Sequence, residues 1–590
     1  MRIREKDMGM ILLQWCYFAI TSFLTGFALL RPFQKKNGYR FFGVTSYMMA
    51  GLAALNVYAE YYSLFDGVGI MANLLVMVFD LAAFWILRKQ IGSFLREKRK
   101  ENGPGRLALY AFFVLLLACG SSRGYMHYDT GLYHAQSIRW IEEYGVVPGL
   151  ANLHSRFGYN SAAFALCALF GGAGLTRYPM HCVPGFFALL CAVKCTKLLH
   201  LADRKQRRVR LSDFLYAGCI FYLTAVFREL VSPASDYFAM LLLFFVSMSW
   251  AELWEREERE VLPYALLAEC LVYAVTVKLS TAPVLLLALY PGICLLREKK
   301  WKQIAGYLAL GVLIVFPYLA RNVLISGWLL YPFTVLDVFP VDWKLSKGYA
   351  DSDASEIRVY AKEIYDVLQK DQPFSVWFPH WFKAQTVPDR LLVLAGWLCV
   401  PAGLCMTLVA ARRYFQSSRR EKRSEDAKRI PGNKDIPGTE RFRYGGYALL
   451  EMTALLGFFF WQFGAPLVRY GYFYVLFLPL VTVGDLYVRH LSGKRGDYAF
   501  VILLVAFLGY RGYNLYHMIA EFWQAPYYVY QQDYGIWPAS TYEVGGVTIY
   551  VPLDRGQIGY DKFPSSPVVQ SIELREGTLE SGFRKKNAED

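Results

Sequence analysis

Gly120–Ser161 reads GSSRGYMHYDTGLYHAQSIRWIEEYGVVPGLANLHSRFGYNS. This polar stretch lies between long apolar segments, and its reading decides the fold. It carries His127, Asp129, His134, Arg139, Glu142, Glu143, His154 and Arg156, and with them three of the chain's 8 histidines. Ionisable and aromatic groups packed so densely beside apolar runs place the chemistry in this loop.

Outward from it, the 590-residue chain is 55% hydrophobic and 17% aromatic, with a mean hydropathy of +0.26. An ordinary soluble domain carries less apolar residue than this. The apolar runs do not alternate as barrel strands would, and they recur along nearly the whole length. The fold class is therefore an all-α polytopic membrane protein. Segments near 8–30, 41–59, 66–87, 107–120, 180–199, 211–227, 236–252, 262–277, 283–296, 304–325, 391–410, 446–464, 470–489 and 497–516 make about fourteen spans. Several fall short of the roughly 20 residues a span needs and must extend into polar flanks. The first apolar run is too long for a signal h-region and reads as a membrane helix.

The formal charge is +15. No nucleic-acid motif accompanies it. The basic residues gather in short loops, 88–106, 197–210, 297–302 and 412–443, which is the positive-inside pattern, with contact to anionic membrane lipids. With these loops in the cytoplasm, 120–161, 228–236, 326–389, 465–469 and the tail after Tyr516 face outward. Segment 162–176 breaks the alternation and reads as a re-entrant or interfacial helix. Basic residues flank both ends of the first helix, so the orientation of the N-terminus stays open.

The organisation is then 1–106, N-terminal membrane helices; 107–325, a membrane core holding the first outer loop 120–161; 326–390, an outer loop with a helix over Ser355–Lys370; 391–516, C-terminal membrane helices; and 517–590, a small tail capping the outer face. Within 391–516, the cytoplasmic loop 412–445 is charged, contains two Pro-Gly pairs and reads as disordered. In the tail, Val547–Val551 and Val568–Leu574 read as strands. The 11 cysteines all lie in apolar stretches, where they act as small buried side chains rather than as disulfides. There is no P-loop, no dinucleotide glycine fingerprint and no serine elbow, which argues against an ATP-driven pump or a Rossmann enzyme.

Individual residues admit two readings each. Asp129 precedes an amphipathic helix over Leu132–Tyr144 lying along the membrane interface. It is either the N-cap of that helix or a general base, aided by His127 or His134. Arg228, Arg321 and Arg469 each stand at the outer end of a span, where a guanidinium snorkels, pairs or meets a ligand. With Lys278 they can form a shared phosphate site. Asp236 pairs with Arg228, helps bind an acceptor, or caps a helix. Trp377 and His380, in SVWFPHWF with Trp381, either stack on a sugar or anchor the chain at the interface.

The blocks HYDTGLYHAQSIRWIEEYGVVPGLANLHSRFGYNS, FRELVSPASD, KLSTAP, RNVLISGWLLYP and APLVRYGYFYVLFLP, in this order, resemble the GT-C superfamily of polytopic glycosyltransferases, and within it a bacterial group of GT-C-like membrane proteins. The tail segment IYVPLDRGQIGYDKFPSSP is similar to that group as well, so the likeness covers roughly 107–575. It implies a GT-C-like helix bundle in the cytoplasmic membrane. It also implies a polyprenyl-phosphate sugar donor, a glycan, lipid or protein acceptor, and an active site on the non-cytoplasmic face. On this resemblance Asp129 takes the place of the first-loop catalytic acid, with His127 and His134 beside it. Arg228, Arg321, Arg469 and Lys278 become donor-phosphate ligands, and Asp236, Arg156, Trp377 and His380 become acceptor or support residues. The helices of 1–106 are extra to that fold. The first loop carries one Asp where metal-dependent oligosaccharyltransferases carry a paired acidic motif, so no metal ligand or other cofactor is assigned and a divalent ion stays an open option. Two other functions fit the same features: a transporter or flippase of lipid-linked glycans, and a membrane glycan polymerase or ligase.

Overall fold

The computed structural model describes residues 7–586 apart from 38–41, 124–125, 175–179, 204, 206, 427–438, 525–533, 535–536 and 555. Eighteen α-helices dominate the described residues. The long ones are α1 (Asp7–Asn37), α2 (Val44–Ser63), α3 (Ile70–Glu101) and α4 (Pro104–Ser122). After the first loop, which holds α5 (Ala135–Tyr144) and α6 (Ala162–Phe170), come α7 (Val183–Cys195), α8 (Leu211–Ala225), α9 (Ser235–Glu255), α10 (Val261–Val277), α11 (Leu289–Arg297) and α12 (Trp301–Ser326). The 326–390 loop holds α13 (Lys347–Ala361) and α14 (Phe374–Ala384), and α15 (Val387–Asp426), α16 (Thr439–Gly464), α17 (Val468–His490) and α18 (Lys494–Gln524) complete the set.

Each of the fourteen expected segments is helical. Among the described residues, ten helices are long and apolar enough to cross a membrane, and Leu211–Ala225 and Val261–Val277 are shorter apolar helices. In lipid a helix satisfies its backbone polar groups within itself, which is why such sequences take this form. The segment expected at 283–296 begins as a 3-10 turn over Leu279–Ala288 around Pro283, whose ring removes one backbone donor. Helix α9 is the centre of the bundle: every residue from Asp236 to Met248 is buried. Helices α3 and α18 are peripheral, with Leu75, Val78, Leu81 and Trp85, and then Leu503 and Val505, facing outward. Apolar side chains on the outside of a bundle are what a lipid-facing surface requires.

Helices α2, α4, α10 and α12 end, and α7, α9 and α17 begin, at one end of the bundle. The first loop is fastened there. The Val146 N–H donates to the Ser63 carbonyl at 2.8 Å, and the Gly149 N–H donates to the Leu324 carbonyl at 2.8 Å. Helix α6 is enclosed on all sides, all nine of its residues being buried, so it is a core element rather than an interfacial one. Helix α5 is also covered, contrary to the expected interfacial position. Its polar face is met by the tail: Gln136 Nε2 donates to the Lys562 carbonyl at 2.6 Å, and Arg139 Nη1 to the Tyr560 carbonyl at 2.7 Å.

The tail forms a hairpin of β1 (Ala539–Val544) and β2 (Val547–Pro552), and a second antiparallel pair, β3 (Ile572–Leu574) with β4 (Phe583–Lys585). The hairpin turns on Gly545 and Gly546, with φ of +57° and +83°, the left-handed pair that matches strand twist. The second strand covers only the last three residues of the expected 568–574. In the outer loop the helix runs over Lys347–Ala361 instead of Ser355–Lys370, ending before Glu363 and Tyr365, which take φ of +58° and +59°. In the charged loop, α15 continues to Asp426 and α16 starts at Thr439. The loop expected to be disordered over 412–445 is thus helical at 412–426 and 439–445, and its Pro-Gly pairs fall on 427–438, outside the described residues.

Candidate functional site

The site starts from an irregular turn. Residues Thr130–His134 form a π-helical turn leading into α5, a geometry that appears mostly at functional positions. Asp129 precedes it in helical conformation, and its side chain makes no capping bond. The N-cap reading of Asp129 therefore drops out. The carboxylate turns away to Arg469, whose Nη2 donates to Asp129 Oδ2 at 2.9 Å.

Arg469 stands near the start of α17, and besides the neighbouring Tyr470 hydroxyl, 3.4 Å from its Nη2, it reaches three more distant partners. Besides Asp129, its Nε faces Asp236 Oδ2 at 3.4 Å, and its Nη1 lies against the His127 ring, 3.0 Å from Nδ1. Asp236 sits in the first turn of α9, where Ala234, not Asp236, is the capping residue. The other oxygen of Asp236 pairs with Lys278 Nζ. Lys278 occupies the break between α10 and the following 3-10 turn, with extended backbone, and its ammonium lies 4.2 Å from the centre of the Tyr470 ring. Asp236 thus pairs with Lys278 and Arg469 rather than with Arg228.

Four segments far apart in sequence therefore converge on two carboxylates and two cations. Burial raises the Asp129 carboxyl, but the Arg469 guanidinium, with His134 and His127 behind it, outweighs this and holds it below the usual carboxylate range. His127 is pushed down to about 4, by burial first and then by Arg469. His134 is pushed down to about 3, chiefly by burial. Both imidazoles are neutral at pH 7. His127 Nδ1 lies 3.7 Å from Asp129 Oδ2 and accepts the Asp129 N–H at 3.1 Å. The backbone N–H of His127 donates to Ser232 Oγ at 2.7 Å. His134 stands back from Asp129, its Nδ1 3.2 Å from Thr130 Oγ1 and its ring against Phe164. The side chains of Asp129, Arg469, His127 and Lys278 keep 18–22% exposure, enough for a ligand to reach them.

The other expected site residues lie elsewhere. Arg321 is buried in the bundle, donating to Asn160 Oδ1 at 3.0 Å and to Ser63 Oγ; the polar groups of α2 and the first loop take up its charge. Arg228 points to Glu521 on α18. Arg156 faces Glu356 at 3.9 Å, and its guanidinium is raised, against burial, by Tyr159, Asp353 and Tyr133 and lastly by Asp129. It is therefore a neighbour of the cluster and not a member. Trp377 is buried against Phe374 and Trp381 in an aromatic packing cluster, and His380 is exposed on the same short helix. Neither contacts the cluster.

Two features went unread in the sequence. Tyr470 gives the cluster its aromatic wall; its place beside Arg469 was the available signal. The second is a buried network between first loop and tail: His181 Nε2 lies 2.9 Å from Glu142 Oε1, His181 Nδ1 lies 2.5 Å from the Tyr534 hydroxyl, and the Tyr560 hydroxyl donates to Glu142 Oε2 at 2.6 Å. Nothing local in sequence links 142, 181, 534 and 560. No group of three or more His, Cys, Asp or Glu side chains arranged to hold a metal occurs among the described residues.

A domain of unknown function, DUF8201, matches residues 8–476. The chain belongs to the DUF8201 family. The matched region runs from α1 to the first turns of α17, so every member of the cluster falls within the family's domain, while α18 and the tail lie beyond it. No curated protein and no solved structure matches the chain.

Proposed function

We propose that this DUF8201 protein is a membrane glycosyltransferase. It takes a sugar from a polyprenyl-phosphate donor and passes it to a hydroxyl-bearing glycan, lipid or protein acceptor at the outer face of the cytoplasmic membrane. The observation that carries the reading is the convergence of Asp129, Asp236, Arg469 and Lys278 beside His127, at the end of the bundle away from the basic loops. The positive-inside pattern supports an outward position for that end.

The chemistry follows from the pairing. Without donor, Arg469 and Lys278 are held by the two carboxylates. A phosphate brings oxygens that compete for both cations, and a guanidinium accepts such oxygens in a bidentate fork. As Arg469 turns to the phosphate, Asp129 loses the partner that held its carboxyl low, and burial raises its basicity toward the working pH. Asp129 then takes the proton of the acceptor hydroxyl as the acceptor oxygen bonds to the anomeric carbon. The bond from that carbon to the phosphate oxygen breaks, and the leaving phosphate keeps the electron pair beside Arg469 and Lys278. No acid is needed on the leaving group. The backbone breaks at Lys278 and Gly471 sit at helix ends. A transporter places such breaks at mid-span, so their position favours chemistry at the surface over transport.

The test is a reconstituted assay of purified protein with a panel of polyprenyl-phosphate sugars, comparing wild type with Asp129→Asn. Carrier release by wild type, lost in a variant that still folds and binds donor, supports the reading. Equal turnover by both removes Asp129 from the mechanism. Transport of a lipid-linked glycan without carrier release replaces the enzyme with a flippase.

A further inference from the structure

A large cleft opens toward the opposite end of the bundle. It has a volume of about 1430 Å³ and is lined by α1, α2, α3 and α4 together with α7, α9, α10 and α12. That exceeds the ~300–1,000 Å³ of sites for drug-sized ligands. Along α9 the distance from Asp236 to Glu252, which lines the cleft, is about 24 Å at 1.5 Å per residue. The cleft's walls continue along α10 as far as Tyr273, but none of Asp129, Asp236, Lys278 and Arg469 lines it, and its ligand does not depend on the glycosyl-transfer reading.

The two parts of the cleft differ in chemistry. Its body is apolar, lined by residues such as Met49, Ala53, Val57, Leu190, Leu267 and Leu310. Its rim collects six cations: Lys98, Arg99, Arg106, Lys194, Lys197 and Arg256. Three carboxylates stand with them at the rim, Glu101, Glu252 and Glu258, and Glu269 lies deeper along α10. Glu252 alone is shared by Lys194 at 2.7 Å, Lys197, and Arg256 at 4.0 Å. Lys98 is paired with Glu101 at 2.7 Å. Among the described residues Arg99 and Arg106 have no ion pair, and Arg106 reaches only Asn102 Oδ1, at 3.4 Å. Lys194 is nearly buried, with its ammonium nitrogen 5.1 Å from the centre of the Phe245 ring.

We propose that this cleft binds an anionic phospholipid, its phosphate at the Arg99, Arg106 and Lys197 rim and its acyl chains along the apolar body. A small anion leaves the apolar walls unexplained, and a neutral lipid leaves the surplus of cations unexplained. The rim is built from the turns that the positive-inside pattern assigns to the cytoplasm, where the leaflet is rich in anionic phospholipid. Basic pockets between membrane helices on that side bind such headgroups.

The test uses the full chain, stripped of lipid by detergent exchange and offered phosphatidylglycerol, phosphatidylcholine or a polyprenyl phosphate in mixed micelles. Retained lipid is read by native mass spectrometry, and stabilisation by thermal unfolding. Wild type should retain phosphatidylglycerol in preference to phosphatidylcholine. Replacing the two exposed or half-exposed arginines together, Arg99→Gln with Arg106→Gln, should weaken phosphatidylglycerol retention roughly 30-fold and leave phosphatidylcholine unchanged. Ala53→Phe, which fills the body, should weaken both; elution volume and lipid-free melting report that the variants are folded. Equal retention of both phospholipids, or unchanged phosphatidylglycerol binding in the arginine variant, overturns the headgroup assignment. Binding of polyprenyl phosphate alone overturns the phospholipid.

Discussion

Removing the Arg469 guanidinium tests the cluster most directly. In Arg469→Gln, Asp129 loses its guanidinium partner and Asp236 keeps only Lys278. At about 4 Å between charge centres and an effective dielectric near 20, the Arg469–Asp129 attraction is about 4 kcal/mol before desolvation. A charge-assisted hydrogen bond such as the 2.9 Å contact from Arg469 to Asp129 nets about 1.5–3 kcal/mol. Breaking one partner of a buried pair costs more, about 3–5 kcal/mol, and the one-fifth exposure of these side chains places Arg469→Gln at the low end, near 3 kcal/mol. The assay is equilibrium unfolding in mixed micelles of wild type, Arg469→Gln, Asp129→Asn and the double variant. The double variant should recover a coupling of about 1.5–3 kcal/mol, because neither charge is then stranded. The deficit of Arg469→Gln should also shrink on acidification. Without Arg469, burial governs Asp129 and its carboxyl protonates at higher pH than in wild type. Single-variant effects that add to within about 0.5 kcal/mol would refute the pairing on which the mechanism rests.

Other expectations follow from the same geometry. Asp129→Asn should lower turnover by about 10²–10⁴-fold with donor binding retained, measured in the reconstituted assay. His127 is held neutral, at about 4 against an ordinary 6.5. Its folded-state value is depressed, so the unfolded chain binds the proton first on acidification, and stability is full above pH 6.5 and falls between 6.5 and 4. The loss amounts to about 3 kcal/mol, and His127→Gln should flatten that part of the stability–pH curve. Trp377→Ala should cost about 3–5 kcal/mol of stability through the lost aromatic packing, with turnover per folded molecule unchanged, whereas His380→Ala should leave both as they are. Tyr560→Phe removes the hydroxyl that donates to Glu142 and should cost about 1.5–3 kcal/mol, read as faster proteolysis of the tail.

The helical, polytopic fold was legible because it follows from local pattern: long apolar runs, basic turns and few breakers. Every expected span is a helix, and the errors sit where local signals weaken. Pro283 converts the start of one segment to a 3-10 turn. The helix of the outer loop ends at Ala361 although its charge pattern continues. Helix α5 reads as interfacial because the stretch Leu132–Tyr144 is amphipathic. The carbonyls that satisfy Gln136 and Arg139 belong to the tail more than 400 residues away, and no window on the sequence includes them.

The site was half legible for a related reason. Arg228, Arg321 and Arg469 have the same local signature, a cation at the outer end of a span, and local reasoning could not rank them. Their fates are set by rotation about the helix axis. Arg321 turns inward to Asn160 and Ser63, Arg228 turns toward α18, and of the three only Arg469 meets Asp129. A helix advances about 100° per residue, so a shift of one position decides whether a guanidinium meets a carboxylate, a core amide or the next helix. That rotation is fixed by packing: Gly471 lies so close to the Trp461 indole that a Cβ there would stand 2.0 Å from its Cδ1. The backbone at Gly471 departs from helical geometry, at φ −134° and ψ 19°. The break two residues after Arg469 sets the direction in which its side chain leaves α17. On this argument Gly471→Ala pushes the start of α17 away from Trp461, separates Arg469 from Asp129, and reproduces the stability loss of Arg469→Gln without touching a charged residue. Wild-type coupling between Asp129 and Arg469 in that background would show that packing at Gly471 does not aim the arginine.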